Sequence, residues 1–259
     1  MSMMRLRLTS LPQRSLLQVT TVVVVALAGM ALAANVSGWL AALLVLVLMI
    51  VVSAGFDLIA RSTVRSRPTW DRFILPNLLV VGAALFLRLV ASGGGVAAGL
   101  ALFGFLLVLV VWAEQHDWRG ATDRRWSTLA LLVIGYVVVF ALYAAIYQTK
   151  VRTLFNAPAI VAVTMLIAVR LLRLTDDLQP YLRLAPYAAF AGLVVGEVTW
   201  ALNYWPLNGL LGGAFLLTVL YFLVQVLSQH LAGRLTPRTL AEHGAISLLA
   251  AVLILWRRL

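Results

Sequence analysis

Cysteine is absent from the 259-residue chain, which excludes disulfides, iron–sulfur clusters, thiolate zinc sites and cysteine nucleophiles. Charge is scarce as well. Only 11% of residues are charged and nine are acidic, against about 25% charged in soluble domains. Extended polar stretches are missing, so the short basic segments between apolar runs offer nothing from which a soluble module could be built. Catalytic signatures are equally lacking, with no G-x-S-x-G elbow, no G-x-x-x-x-G-K-[ST] phosphate loop and no H-E-x-x-H helix. His116, His230 and His243, with Glu114, Asp117 and Glu242, all fall on one side of the expected membrane but show no recognised metal-ligand spacing. The Asp176-Asp177 pair lacks the second acidic cluster that Mg²⁺-assisted lipid-phosphate transfer would use, and reads as solvated loop charge. No catalytic residue, metal or cofactor is therefore assigned, and an enzyme is the less favoured class.

What the chain does have is apolar sequence, with 63% hydrophobic residues. A bilayer core needs about 20 mostly apolar residues per helix. Runs approaching or meeting that length recur at Leu17–Asn35, Gly38–Ala60, Phe73–Ser92, Gly94–Trp112, Ser127–Gln148, Thr153–Arg173, Ala185–Tyr204, Asn208–Ser228 and Leu240–Trp256. Each must satisfy its own backbone hydrogen bonds in lipid, and the short alternating segments of a barrel are absent, so all are expected to be helices. The expected fold is all-α: a polytopic helical membrane protein of about nine transmembrane helices, residues 1–259 forming a single domain. Eight is the alternative count, because Glu242 and His243 shorten the apolar part of the last run. The first run follows Arg5, Arg7 and Arg14 and ends in Ala31-Leu32-Ala33, as a signal peptide would. Its 16-residue apolar stretch is long for a signal, and more spans follow, so a retained helix is expected.

Net charge is +11, and its placement sets an orientation. With the amino terminus inside, fifteen of the twenty cations fall in the inner segments. They include Arg61, Arg65, Arg67, Arg72, Arg119, Arg124, Arg125, Arg170, Arg173, Arg183, Arg234 and Arg238. Outside lie Lys150, Arg152, Arg257 and Arg258, and Arg88 sits within a span. This asymmetry predicts a cytoplasmic amino terminus in the cell inner (plasma) membrane. The same cations suit anionic lipid head groups at the inner face rather than nucleic acid, for which no folded groove-reading surface exists.

Small residues recur at four-residue spacing in Gly95/Gly99, Gly192/Gly196 and Gly209/Gly213. Such faces let helices approach closely, chiefly within the chain, with a homo- or hetero-oligomer seam as the alternative. Pro76 and Pro158 open spans three apart. Inverted transporter repeats would place them so, although proline is also tolerated in a helix's first turns.

Eight of the nine acids fall in inner segments or at their edges; the ninth, Glu197, lies within the seventh span. An intramembrane ionisable residue marks a candidate functional site. At about 1.5 Å per residue, Arg88 sits at a comparable height in the third span, so the two are expected to approach one another. Trp200 and Tyr204 follow Glu197 at i+3 and i+7 on the same helical face, with Phe190 about a turn or two below. Glu197, Arg88, Trp200 and Tyr204 form the candidate ligand-binding set, although an interfacial aromatic belt would use the same rings. The segment Glu197-Val198-Thr199-Trp200-Ala201-Leu202-Asn203-Tyr204-Trp205-Pro206 resembles a family of uncharacterised bacterial multi-pass membrane proteins. That resemblance implies a membrane fold and no assigned activity.

A binding, assembly or accessory membrane role fits the scarcity of intramembrane polar groups. A small-molecule or lipid transporter with its site near Glu197 is the first alternative, and a lipid-modifying intramembrane enzyme the second. A water-filled cavity at Glu197 would favour transport, an acid- or histidine-lined inner groove the enzyme, and a dry, pair-sealed core the accessory role.

Overall fold

The computed structural model describes residues 13–36, 38–63, 69–89, 93–118, 124–149, 153–175, 180–205 and 207–256. Among them run nine α-helices and no strand: α1 (Gln13–Asn35), α2 (Trp39–Thr63), α3 (Ile74–Leu89), α4 (Gly93–Trp118), α5 (Arg124–Gln148), α6 (Thr153–Thr175), α7 (Tyr181–Leu202), α8 (Gly209–Leu231) and α9 (Pro237–Trp256). A single 3-10 turn, Trp70–Phe73, leads into α3. Eight of the helices are long and apolar enough to cross a membrane, whereas the apolar part of α1, Val19–Ala33, is shorter. The chain is thus a helical membrane protein, as its composition requires. Asp117, the Asp176-Asp177 pair, the cations of the amino-terminal segment, Arg65, Arg67, Arg119, Arg124, Lys150, Arg152, Arg257 and Arg258 lie outside the residues whose side chains are described.

Helix ends follow local chemistry. Pro237 occupies the first position of α9, where its missing N–H is no loss. Just before it, Thr236 and Thr239 exchange hydrogen bonds between hydroxyls and backbone N–H groups at 3.0 and 3.2 Å. α8 ends on Gly233, whose φ of 66° lets Arg234 N–H reach the Gln229 carbonyl at 2.9 Å and Gly233 N–H reach that of His230 at 3.0 Å. This left-handed closure turns the chain into α9 within a few residues. At the start of α8, Leu211 N–H donates to Asn208 Oδ1 at 2.8 Å. Gly209 N–H donates to Gln148 Oε1 at 2.7 Å, tying the helix to the end of α5.

Contacts at the helix ends establish an alternating, up-and-down course. The ends of α4 and α6 meet the turn before α3 and the start of α7. At the other end, α1 meets the end of α3, and the end of α5 meets the end of α7, where Tyr147 Oη donates to the Leu202 carbonyl at 2.7 Å. α5 sits centrally, packed by α3, α4, α6 and α8. Its Leu131, Ile134, Val138, Leu142 and Tyr143 are fully or almost fully buried. Tyr143 and Thr164 share a buried hydrogen bond that links α5 to α6. α9 rests on α8 and contributes no buried residue.

Glycines set the closest approaches. A Cβ on Gly213 would fall 2.7 Å from Ala144 N, and one on Gly192 would fall 2.6 Å from Met165 Cγ. Gly196 is pressed against Val161, and Gly99 against Leu87. These glycines serve helix pairs inside the chain: α5 with α8, α6 with α7, and α3 with α4.

Candidate functional site

Two polar features stand out, one at each end of the bundle. At the arginine-rich end, Arg170 of α6 is buried at 2% exposure between two fully buried carboxylates. Its Nη1 donates to Asp71 Oδ2 at 2.9 Å, and its Nη2 donates to Glu114 Oε1. Arg173, one turn further along α6, brings its Nε to 3.5 Å from Asp71 Oδ2. The Arg173 guanidinium also stacks over the Tyr181 ring, 4.0 Å from its centroid. Tyr181 Oη donates to Asp71 Oδ1, and its ring lies 4.9 Å from that of Trp70. Two acids and two arginines therefore balance in charge where four elements converge. Such a set persists out of water only because each charge has a geometrically matched partner.

Each member of this network arrives by local folding. The 3-10 turn aims Asp71 inward. α4 continues to Trp118, six residues beyond the apolar run that ends at Trp112, so Glu114 stands inside a helix. α7 begins at Tyr181 behind Pro180, whose carbonyl accepts from Arg183 and Leu184 N–H. This start is one turn earlier than the expected Ala185. Sequence reasoning places Asp71, Glu114, Arg170 and Arg173 in or at the edge of inner segments without assigning them partners; the structure buries three of the four and pairs them. The available signal was the Arg170/Arg173 pair at i, i+3, which puts both on one face of α6.

At the opposite end, the structure separates the residues expected to meet. Arg88 donates through Nη2 to the Ala33 carbonyl at 2.9 Å and to the Val36 carbonyl, and through Nε to Ala33 at 3.3 Å. It thereby satisfies the orphan carbonyls and negative dipole end of α1. It also lines a groove of about 350 Å³ with residues of α1, α2 and α3. Glu197 belongs to a different face. α3 packs against α1, α2, α4, α5 and α6, whereas α7 packs against α6 and α8, so the expected Arg88–Glu197 approach is not made.

Glu197 is exposed on the outer side of α7. It interrupts a stripe that otherwise shows Leu182, Phe190, Leu193, Trp200 and Tyr204 to the surroundings. Between α6 and α7 it lines an open groove of about 450 Å³ with Pro158, Val161, Met165, Leu193 and Trp200 among its walls. Among the described residues, no cation pairs with Glu197. Trp200 is half-exposed and Tyr204 is 86% exposed; of the two, Trp200 lines the groove. Pro158, inside α6, has no N–H to donate to the carbonyl one turn back.

The other polar expectations sort out by contact. Asp57 and Arg61, four residues apart on α2, form an ion pair. His116 bonds to the Trp112 carbonyl, His230 packs on Tyr187 and His243 on Tyr221. Among the described residues, no group of three or more metal-ligating side chains converges.

A family model described as a protein of unknown function, DUF5656, matches residues 18–257. The chain belongs to this family. The likeness seen around Glu197–Pro206 to an uncharacterised family is thereby borne out, and DUF5656 membership assigns no activity. No curated protein and no solved structure matches the chain.

Proposed function

We propose that this DUF5656 chain is a multi-pass protein of the inner (plasma) membrane, amino terminus cytoplasmic, that works by binding a partner molecule sideways from the bilayer. The observation that carries this reading is the outward-facing Glu197 in the open α6–α7 groove. An ionisable group turned toward hydrocarbon is expensive unless something meets it. About five residues separate it from the end of α7, or roughly 8 Å, which puts it below the level of an interfacial aromatic belt formed by Trp200, Tyr204 and Trp205. The buried charges support a binding role over a conduit, because Arg170, Asp71 and Glu114 are engaged with one another across the arginine-rich end. Arg88 contributes to this reading as a helix cap rather than as Glu197's counter-ion. The orientation rests on the excess of arginine at that end.

The test is native mass spectrometry of the gently purified protein beside Glu197→Gln. A reproducible non-protein mass that is diminished in the variant supports lateral binding at the groove. No adduct in either form, with Glu197→Gln less stable than wild type, overturns it and makes Glu197 a structural residue.

A further inference from the structure

The chemistry of the groove narrows what it takes, on the assumption that the lateral-binding reading holds. Among the described residues its one charged lining residue is Glu197, beside apolar walls from Val161, Met165 and Leu193 and the indole of Trp200. Polarity is graded along it. Glu197 and Trp200 stand toward the far end of α7, while Leu193 on α7 and Met165 on α6 lie toward the bundle's middle. From Ala157 to Met165 the wall extends about 12 Å, the reach of a medium alkyl chain.

A volume of about 450 Å³ matches small-ligand sites, which run from about 300 to 1,000 Å³. The small residues that would let a foreign helix settle are already engaged. Gly192 and Gly196 face Met165 and Val161 of α6. A phosphate would lie beside a carboxylate that no cation among the described lining residues offsets. A cation attached directly to a chain meets no such objection. A carboxylate offers it charge-assisted pairing, and an exposed indole beside that carboxylate offers the face cations prefer.

We propose that the α6–α7 groove binds a single-chain amphiphile with an ammonium head group and no phosphate. Glu197 is its counter-ion, Trp200 its aromatic contact, and Val161, Met165 and Leu193 the wall along its chain. The full-length protein in neutral dodecyl maltoside micelles is titrated with dodecylammonium, and with dodecyl sulfate and dodecanol as controls, and retention is read by native mass spectrometry. One equivalent of dodecylammonium retained by wild type, weakened about tenfold in Glu197→Gln and abolished by groove-filling Ala162→Phe, is the expected result. Both positions are exposed, so the variants keep the wild-type melting temperature.

Equal retention of dodecylammonium by wild type and Glu197→Gln overturns the assignment of an ammonium ligand. Retention of dodecanol as tightly as the amine, lost in Ala162→Phe, also overturns it while leaving lateral binding intact. No retention of any probe by wild type overturns the single-chain amphiphile, while lateral binding stands or falls on the co-purified adduct. A Glu197-dependent dimer mass overturns the amphiphile in favour of a second copy of the chain.

Discussion

Arg170 shows how far a single buried charge can organise this protein. Its guanidinium bridges Asp71 and Glu114, which are separated from it by 99 and 56 residues in sequence. Removing one member of such a set leaves the others charged in a low-dielectric site, a loss of about 3–5 kcal/mol. Arg170→Ala should therefore lower the melting temperature sharply in a detergent-solubilised thermal melt. Tyr181→Phe, which removes one hydrogen bond to Asp71, should cost about 1–3 kcal/mol because that bond reaches a charged group. If Arg170→Ala melts like wild type, the network does not hold the arginine-rich end together. Arg88 makes a different use of the same residue type, since its exposed side chain serves the open end of α1.

Among the helices, close approach decides which pairs form. α8 lies on α5 where Gly212 and Gly213 meet Tyr147 and Ala144, and the Gln148–Gly209 hydrogen bond fixes the height of one against the other. A methyl on Gly213 would press on the Ala144 backbone, which cannot move aside as a side chain tip would. Gly213→Ala is expected to destabilise by about 1–3 kcal/mol through overpacking, read as a lower melting temperature. Gly94→Ala, where an added Cβ meets nothing within 4 Å, should be neutral or slightly stabilising, since alanine is the better helix former. Equal melting of the two variants would contradict the packing assigned to α5 and α8. The starts of α7 and α9 were displaced from the sequence reading by one turn or less, because Pro180 and Pro237 permit a helix to begin where hydropathy alone shows nothing.

For the molecule as a whole, the lack of cysteine makes topology directly measurable. Arg234→Cys lies between α8 and α9, and Asn203→Cys lies just past α7. With the amino terminus cytoplasmic, a membrane-impermeant maleimide added to intact cells should label Asn203→Cys and leave Arg234→Cys unlabelled until the cells are opened. Labelling of Arg234→Cys from outside would reverse the orientation. Leu259→Cys, beyond α9, reports on the ninth helix: external labelling means that α9 crosses, and protection means that it returns to the cytoplasmic side.

Fold class and helix number were legible in the sequence because a bilayer imposes one requirement on every span: about 20 apolar residues with their backbone bonds satisfied internally. The Asp57–Arg61 pair was legible for a similar reason, since four-residue spacing on a helix places two side chains together. Distances across the bundle were not. Arg88 and Glu197 share a height, but height is a one-dimensional quantity, and helix order around the bundle put them on separate faces. Glu114 looked like a loop residue because hydropathy falls at Trp112, yet α4 continues to Trp118 once Arg170 supplies a partner for the carboxylate. The sequence alone determined that this chain is a bundle of membrane helices. Only the tertiary structure decided which charges are sealed inside it and which one faces out, because burial and pairing depend on how helices rotate about their axes, and a rotation leaves no mark on composition.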